Sequence, residues 1–375
     1  MLKKVKKVAL VAGIAAIAAA GYLTFSTVDP QAPVATAAGK AYTGKIYVSA
    51  MGGHFADVDV TIDPSDANNP IKVNSLDMIS IGDKNTHATH DPRIDSNDPN
   101  VLFWSTYKLD PNGKVHVGKT DLKTGNVIMD VAMDPDKRTG GPMPLYCASG
   151  QTKDSYIPIM MAKPGTEAYI DVMDKKTLAL KHRVFLNELG YTGPNYMFFH
   201  GTNTPDMKGL VIAINQREND KPNGRVDLIM LDLPMLEKEG KVKVLAKNTV
   251  TGEPGKTITF REFFTNDGKL LLQSGGDRMF VLDAKTLQQV DMVITPGENH
   301  DVMPTPDDQY AILTLRTKMN VPATEDTIVD GALQLYDLKA KKMVGQPVSV
   351  CYACHKDMGV KGNAILCGID GKLKM

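Results

Sequence analysis

Six times along this chain an apolar strand ends in an aspartate, a polar turn follows, and a second apolar run begins. The copies read VTIDPSDANNPIKV at Asp63, GKTDLKTGNVIM at Asp121, DVMDKKTLAL at Asp174, IMLDLPMLEKEGKVKVL at Asp232, FVLDAKTLQQV at Asp283 and QLYDLKAKKMV at Asp337. The intervals between these aspartates are 58, 53, 58, 51 and 54 residues. A period of that length marks a repeat protein whose units bury their apolar faces against each other. Aspartate suits the turn because its carboxylate accepts from backbone N–H groups two residues on.

Between the hairpins lie the shorter apolar runs VLFWSTY, YIPIMM, LVIAIN, LLLQS and AILTL, starting at residues 101, 156, 210, 270 and 311. They have strand length and β-forming composition. Only LNELG at 186–190 and LPMLEKEG at 233–240 read as short helices. Four short strands per unit, repeated around a ring, predict an all-β fold, a β-propeller of four-stranded blades. A parallel β-helix has much shorter repeats, and a sandwich does not repeat six times. GKIYVSA, FADVDVTID and PIKVNSL supply the last three strands of a unit that lacks its first. CHKDMGV and NAILCGI, at the other end of the chain, supply the first strands of a unit that lacks its end. The ring is therefore expected to close by joining N- and C-terminal strands, and the count permits six blades or seven. Residues 41–375 form the single propeller domain.

Aligning the units brings out a second pattern. His90, His200, His300 and His355 each precede the next apolar strand by a similar distance, with His87 close to His90. In a propeller that position is the start of the innermost strand, beside the axis. The third unit has Cys147 there, and the fifth has Arg261 and Glu262. Trp104, Tyr107, Arg183 and Arg261 are further groups able to steer an anion. His116 and His182 fall in strands or turns away from the unit starts.

Cys351, Tyr352, Ala353, Cys354 and His355 have the C-x-x-C-H spacing of c-type haem attachment. Two thiols bond the two vinyl groups of one haem, and the adjacent histidine takes the proximal side of the iron. Half a zinc site and a Cys351–Cys354 disulfide are the rival readings; zinc wants a second ligand pair, and only Cys367 follows within reach. The N-terminus favours haem. Lys3, Lys4, Lys6 and Lys7 precede an apolar run from Val8 to about Leu23, the pattern of a secretory signal. Residues 1–37 are expected to be that signal, with a cleavage site at Ala35-Thr36-Ala37 or Ala18-Ala19-Ala20, or else an uncleaved anchor. Export places the chain in a periplasm or beyond, which is where haem c is attached. Four cysteines are too few for a disulfide scaffold. Net charge is zero, with no long basic patch, so nucleic acid is excluded as a partner.

The unit starts and the D-x-K-T-like turns resemble the YVTN-type propellers, whose architecture is related to the nitrous oxide reductase propeller and the haem d1 domain of cytochrome cd1. The resemblance covers residues 44–375 and implies seven blades. In those relatives, axial histidines bind copper or haem on the funnel face. Two departures limit the transfer. With His355 on haem iron, seven histidines remain, too few for a seven-histidine copper cluster. The haem motif is also built into a blade, with no separate cytochrome domain around it.

These observations lead to an exported monohaem cytochrome acting in electron transfer, with redox proteins such as other cytochromes as partners. Cys351, Cys354 and His355 hold the haem; His90, His200, His300, His87, Met303 and Cys147 are the candidates for the distal ligand or the funnel wall. An enzyme reducing or oxidising a small oxyanion or nitrogen oxide is the second expectation, with copper on His87, His90, His200, His300 and Cys147 as a variant. A non-redox protein-binding propeller is the third. The only membrane contact expected is through the N-terminal segment.

Overall fold

A computed structural model describes residues 40–50, 52–139, 145–161, 167–320, 327–350 and 366–375. Residues 1–37, read above as a signal, and the C-x-x-C-H motif at 351–355 lie outside these residues. The fold is all-β. In chain order the strands are β1 (Tyr42–Ala50), β2 (His54–Ile62), β3 (Ile71–Ser80), β4 (Thr89–Ile94), β5 (Val101–Thr106), β6 (Val115–Asp121), β7 (Val127–Met133) and β8 (Leu145–Gln151). They continue as β9 (Ser155–Met161), β10 (Tyr169–Asp174), β11 (Leu180–Phe185), β12 (Tyr196–Asn203), β13 (Gly209–Glu218), β14 (Lys221–Asp232), β15 (Val244–Thr251), β16 (Glu262–Phe264) and β17 (Leu270–Ser274). The last are β18 (Gly276–Asp283), β19 (Gln289–Pro304), β20 (Tyr310–Asn320), β21 (Thr327–Asp337), β22 (Lys342–Ser349) and β23 (Leu366–Lys374).

All pairings are antiparallel between sequence neighbours, except that β23 pairs with β1. The sheets are β23-β1-β2-β3, β4 to β7, β8 to β11, β12 to β15 and a seven-stranded sheet from β16 to β22. The long strand β19 makes that last sheet two four-stranded units: its first half pairs with β18 and its second half with β20. The described strands thus form six four-stranded units. The strand at the inner edge of each unit touches the next: β23 with β4, β4 with β8, β8 with β12, β12 with β16, β16 with β19, and β19 with β23.

The core follows the same order. Six apolar clusters each join two neighbouring units. Tyr47 and Phe55 of the first unit meet Leu102 and Trp104 of the second; Phe103 and Val117 of the second meet Tyr146 and Tyr156 of the third. Ile159 and Ile170 meet Phe199 and Ile212; Leu228 meets Leu271 and Phe280; Leu272 and Met279 meet Leu313 and Tyr336. Leu333 and Val350 of the sixth meet Val48 and Ile369 of the first. Third strands such as β10 and β18 are accordingly buried on both faces, up to the closing Asp174 and Asp283.

Five of the six aspartates do what the repeat predicts, Asp63 Oδ1 accepting from Ser65 N at 3.0 Å. Asp121 Oδ1 accepts from Lys123 N at 2.7 Å, Asp174 Oδ1 from Lys176 N and Thr177 N at 2.9 Å, Asp283 Oδ1 from Thr286 N at 2.7 Å and Asp337 Oδ1 from Ala340 N at 2.7 Å. Asp232 instead caps the helix α1 (Leu233–Glu239), accepting from Met235 N, and Gly240 ends that helix in the left-handed region.

The β1–β23 pairing leaves no room for a side chain at Gly44. Its φ is +149°, and a Cβ there would stand 2.0 Å from the Lys372 carbonyl oxygen. Gly44→Ala is therefore expected to cost about 3 kcal/mol or more, by combining backbone strain with a broken ladder. Urea unfolding of the variant checks this, and the loss should match that of deleting residues 366–375.

Candidate functional site

The inner strands carry their special residues on bulges. Between β8 and β9 the register jumps from Tyr146 to Ala148, and Cys147 is the extra residue. Between β19 and β20 it jumps from Asn299 to Asp301, with His300 extra. In β4 the shift falls between His90 and Arg93, with Asp91 at φ +51°; in β12 it falls just before Phe199 and His200. In β23 the extra residue is Cys367. A bulge re-aims a side chain out of the strand's alternation, and here His90, Cys147, His200 and His300 come together.

There the chain builds a buried cluster. Cys147 Sγ lies 2.9 Å from His200 Nε2 and 3.8 Å from His90 Nε2. Arg261 Nη2 donates to His90 Nδ1 at 3.0 Å. A guanidinium only donates, so His90 must accept through Nδ1 and, when neutral, carry its proton on Nε2. Burial drives both His90 and His200 well below the usual histidine range, and the Arg261 charge adds to this, so both are neutral at pH 7. His300 is bonded through Nε2 to Glu298, which also accepts from Arg316 Nη1 at 3.1 Å. Against its burial, those two partners hold Glu298 down to about 2. Phe260 stacks on the His300 ring at 4.1 Å and meets His200 edge-on at 5.9 Å. Tyr107 packs 4.7 Å from His90.

Next to this cluster is a buried charge network. Arg261 Nε donates to Asp91 Oδ1 at 3.1 Å, and Arg93 Nη2 approaches the same oxygen at 3.7 Å. Asp301 accepts from Val302 N at 2.8 Å and Ile369 N at 3.0 Å; Asp370 accepts from Ile94 N at 2.7 Å and Gly371 N at 2.8 Å. Two guanidinium groups face four carboxyls: Asp91, Glu262 and Asp301, which are buried, and Asp370, which is half-buried. Charge balance requires protons. Burial pushes Asp301 up to about 7, Glu262 well above the carboxylate range with Asp301 adding to it, and Asp370 upward.

The structure thus brings together four of the sequence candidates, His90, Cys147, His200 and His300, with Arg261 among them. It sends two elsewhere. Met303 packs in the apolar cluster of Val48, Leu333 and Ile369, where a Cβ on Gly371 would sit 3.3 Å from its sulfur. His87 stands against His116, with ring centroids 4.4 Å apart, and so joins a residue that the repeat pattern set aside. Trp104 and Arg183 have structural partners: Trp104 donates to Thr120 Oγ1 at 2.9 Å, and Arg183 clamps Asp171 at 2.7 and 2.8 Å. The carboxyls Asp91, Asp301 and Asp370 carried no sequence signal beyond their place one residue after His90, His300 and Ile369.

The two ends of the segment that contains Cys351, Cys354 and His355 are described. Val350 is fully buried, donates to the Gly331 carbonyl at 3.0 Å, and shares one apolar cluster with Ile369. Gly368 lies tight against the axial network: a Cβ there would meet Pro92 Cδ at 2.6 Å and Arg261 Nη1 at 2.8 Å. Gly368 thus stands beside Arg261, the residue that holds His90.

No protein-family model matches the chain, and no curated protein matches it. Among solved structures it is similar to a chain of the mitotic checkpoint complex, at 12% identity over 86% of this chain and 87% of that one, TM-score 0.44. It is also similar to a functionally unknown protein from Desulfotomaculum acetoxidans DSM 771, at 11% identity over 87% and 89%, TM-score 0.47. A third is the Cps50 (Swd1) beta-propeller domain of Myceliophteria thermophila, at 13% identity over 70% and 87%, TM-score 0.39. Likenesses this distant say nothing about what this chain does.

Proposed function

We propose that this chain is an exported c-type cytochrome with one haem, built on a six-bladed β-propeller closed by β23, and that it works in electron transfer. Six units, six inter-unit clusters and a cycle of inner-strand contacts support the blade count, against the seven implied by resemblance. The observation that carries the cofactor reading is the position of Gly368, which follows the C-x-x-C-H motif in sequence. It packs on Arg261, and Arg261 holds one of two buried neutral histidines flanking Cys147.

Cys351 and Cys354 would attach the haem, and His355 would be its proximal ligand. On the axial side the donor set suits a haem iron: neutral imidazole and thiol are the protein groups that bind it. His200, whose Nε2 faces the Cys147 thiol at 2.9 Å, is the distal candidate to test first. His90 is committed through Nδ1 to Arg261, and His300 through Nε2 to Glu298. When bound, the haem supplies a one-electron couple. The chain's own part is to exclude water with Phe260 and Tyr107, to keep His90 and His200 uncharged, and to fix the His90 ring through Arg261.

The test is a visible spectrum of protein produced in a host that attaches haem c, oxidised and reduced, with and without carbon monoxide. A low-spin reduced spectrum unmoved by carbon monoxide is expected, together with loss of covalent haem in Cys351→Ala and Cys354→Ala. His200→Ala should make the reduced spectrum sensitive to carbon monoxide. A carbon-monoxide shift in the unaltered protein would replace electron transfer with an enzyme acting on a small oxyanion or nitrogen oxide. Absence of haem would overturn the proposal.

A further inference from the structure

Outside the axial cluster, two histidines and an aspartate converge in the second unit. His87, just before β4, turns its Nε2 to Asp130 Oδ2 at 2.9 Å. His116, on β6, turns its Nδ1 to Asp130 Oδ1 at 2.9 Å. Asp130, on β7, lies opposite Gly118 in the β6–β7 ladder. One nitrogen of each imidazole and one carboxylate oxygen all lie within 4.8 Å of each other. We propose that His87, His116 and Asp130 form a binding site for a divalent transition-metal ion of the zinc type, separate from the axial site.

Three features support a metal over a simple carboxylate bridge between two rings. First, each imidazole has a partner on its other nitrogen. His87 Nδ1 lies 2.7 Å from Thr86 Oγ1, and His116 Nε2 lies 3.5 Å from Asp110 Oδ2. With those nitrogens donating outward, His87 Nε2 and His116 Nδ1 both present lone pairs to one point. That is the outer-shell pattern of metal-binding histidines, carboxylate included. Second, the spacing is within reach. Zinc–nitrogen and zinc–oxygen bonds of about 2.0–2.1 Å in a tetrahedron put ligand atoms about 3.3 Å apart, so the 2.9 Å contacts open by a few tenths of an ångström while wider separations, none above 4.8 Å, close by up to about 1.5 Å. Third, the rings are held before any ion arrives. Trp104 meets His87 edge-on at 5.9 Å, and a Cβ on Gly82 would stand 2.3 Å from His87 Nδ1. Asp130 is the most open of the three, at 32% side-chain exposure, which leaves a route from solvent and a position for water. Two imidazoles and a carboxylate suit zinc and its neighbours.

The proposal is independent of the haem reading and fails separately from it. Zn²⁺ titrated into the full-length protein, followed by calorimetry and by X-ray absorption at the zinc edge, tests it. One ion per chain is expected, bound by nitrogen and oxygen with imidazole scattering. His87→Gln and Asp130→Asn should each weaken binding at least 10-fold, and Asp110→Asn, a positioning residue, by about 10-fold. Circular dichroism separates these losses from misfolding, and Val127→Thr, exposed on β7, serves as a control. Zinc–sulfur scattering at about 2.3 Å would assign the ion to Cys147, Cys351 or Cys354 and overturn the proposal. Binding unchanged in His87→Gln and Asp130→Asn, or no binding, would do the same.

Discussion

Arg261→Leu is expected to lower stability by about 3–5 kcal/mol at neutral pH, the range for removing one partner of a buried ion pair. Arg261 is 2% exposed and Asp91 is fully buried. The guanidinium bonds Asp91 Oδ1 at 3.1 Å and His90 Nδ1 at 3.0 Å, and its backbone N–H donates to the His300 carbonyl at 3.1 Å. Without the side chain, Asp91 keeps only Arg93, at 3.7 Å. Leucine restores much of the volume, so the loss reads charge rather than a cavity. Asp91→Asn in the same chain should recover a large part of it, because asparagine tolerates the left-handed backbone at φ +51°. Urea unfolding of both variants gives the coupling energy. Equal losses in the single and double variants would show that the pair is not the source. Arg261→Leu should also release the His90 ring, so a haem-loaded protein would shift its spectrum where Asp91→Asn alone would not.

The second large effect is with pH. Asp301 is fully buried, and desolvation pushes its carboxyl up to about 7, from near 4 in the unfolded chain. Between those values the folded protein keeps a proton that the unfolded chain releases. Stability therefore falls as pH rises from about 4 to about 7, by at most about 4 kcal/mol from this residue. Glu262 and Asp370 are shifted in the same direction by burial and steepen the fall. Asp301→Asn should flatten it, at the cost of a weakened bond from Ile369 N, about 1 kcal/mol. Urea midpoints at pH 5 and pH 7 measure both. A slope unchanged by Asp301→Asn would mean that the proton resides on another carboxyl of the network.

Much of the fold is legible in the sequence, because a repeat writes the same instructions six times. Asp121, Asp174, Asp283 and Asp337 announce their turns, and VLFWSTY, LVIAIN and AILTL become β5, β13 and β20 within a few residues. The missing first strand of the first unit is supplied by β23, which begins within the NAILCGI run at Leu366. Asp232 departs from the pattern because Pro234 and Leu236 turn its hairpin into a helix.

The site was legible only as a set of aligned positions. The sequence by itself determined that His90, Cys147, His200, Arg261 and His300 start inner strands, and that C-x-x-C-H precedes the last one. Tertiary structure alone decided which of them meet. Side-chain direction in a strand alternates by residue, and one bulge reverses it; bulges are set by pairing with the neighbouring strand, not by local composition. Hence the repeat pattern grouped His87 with His90, while the fold pairs it with His116 and Asp130. Hence also the carboxyls of the charge network went unseen. Asp91, Asp301 and Asp370 come from three distant parts of the chain, and only the closing of β23 against β4 and β19 puts them beside two arginines.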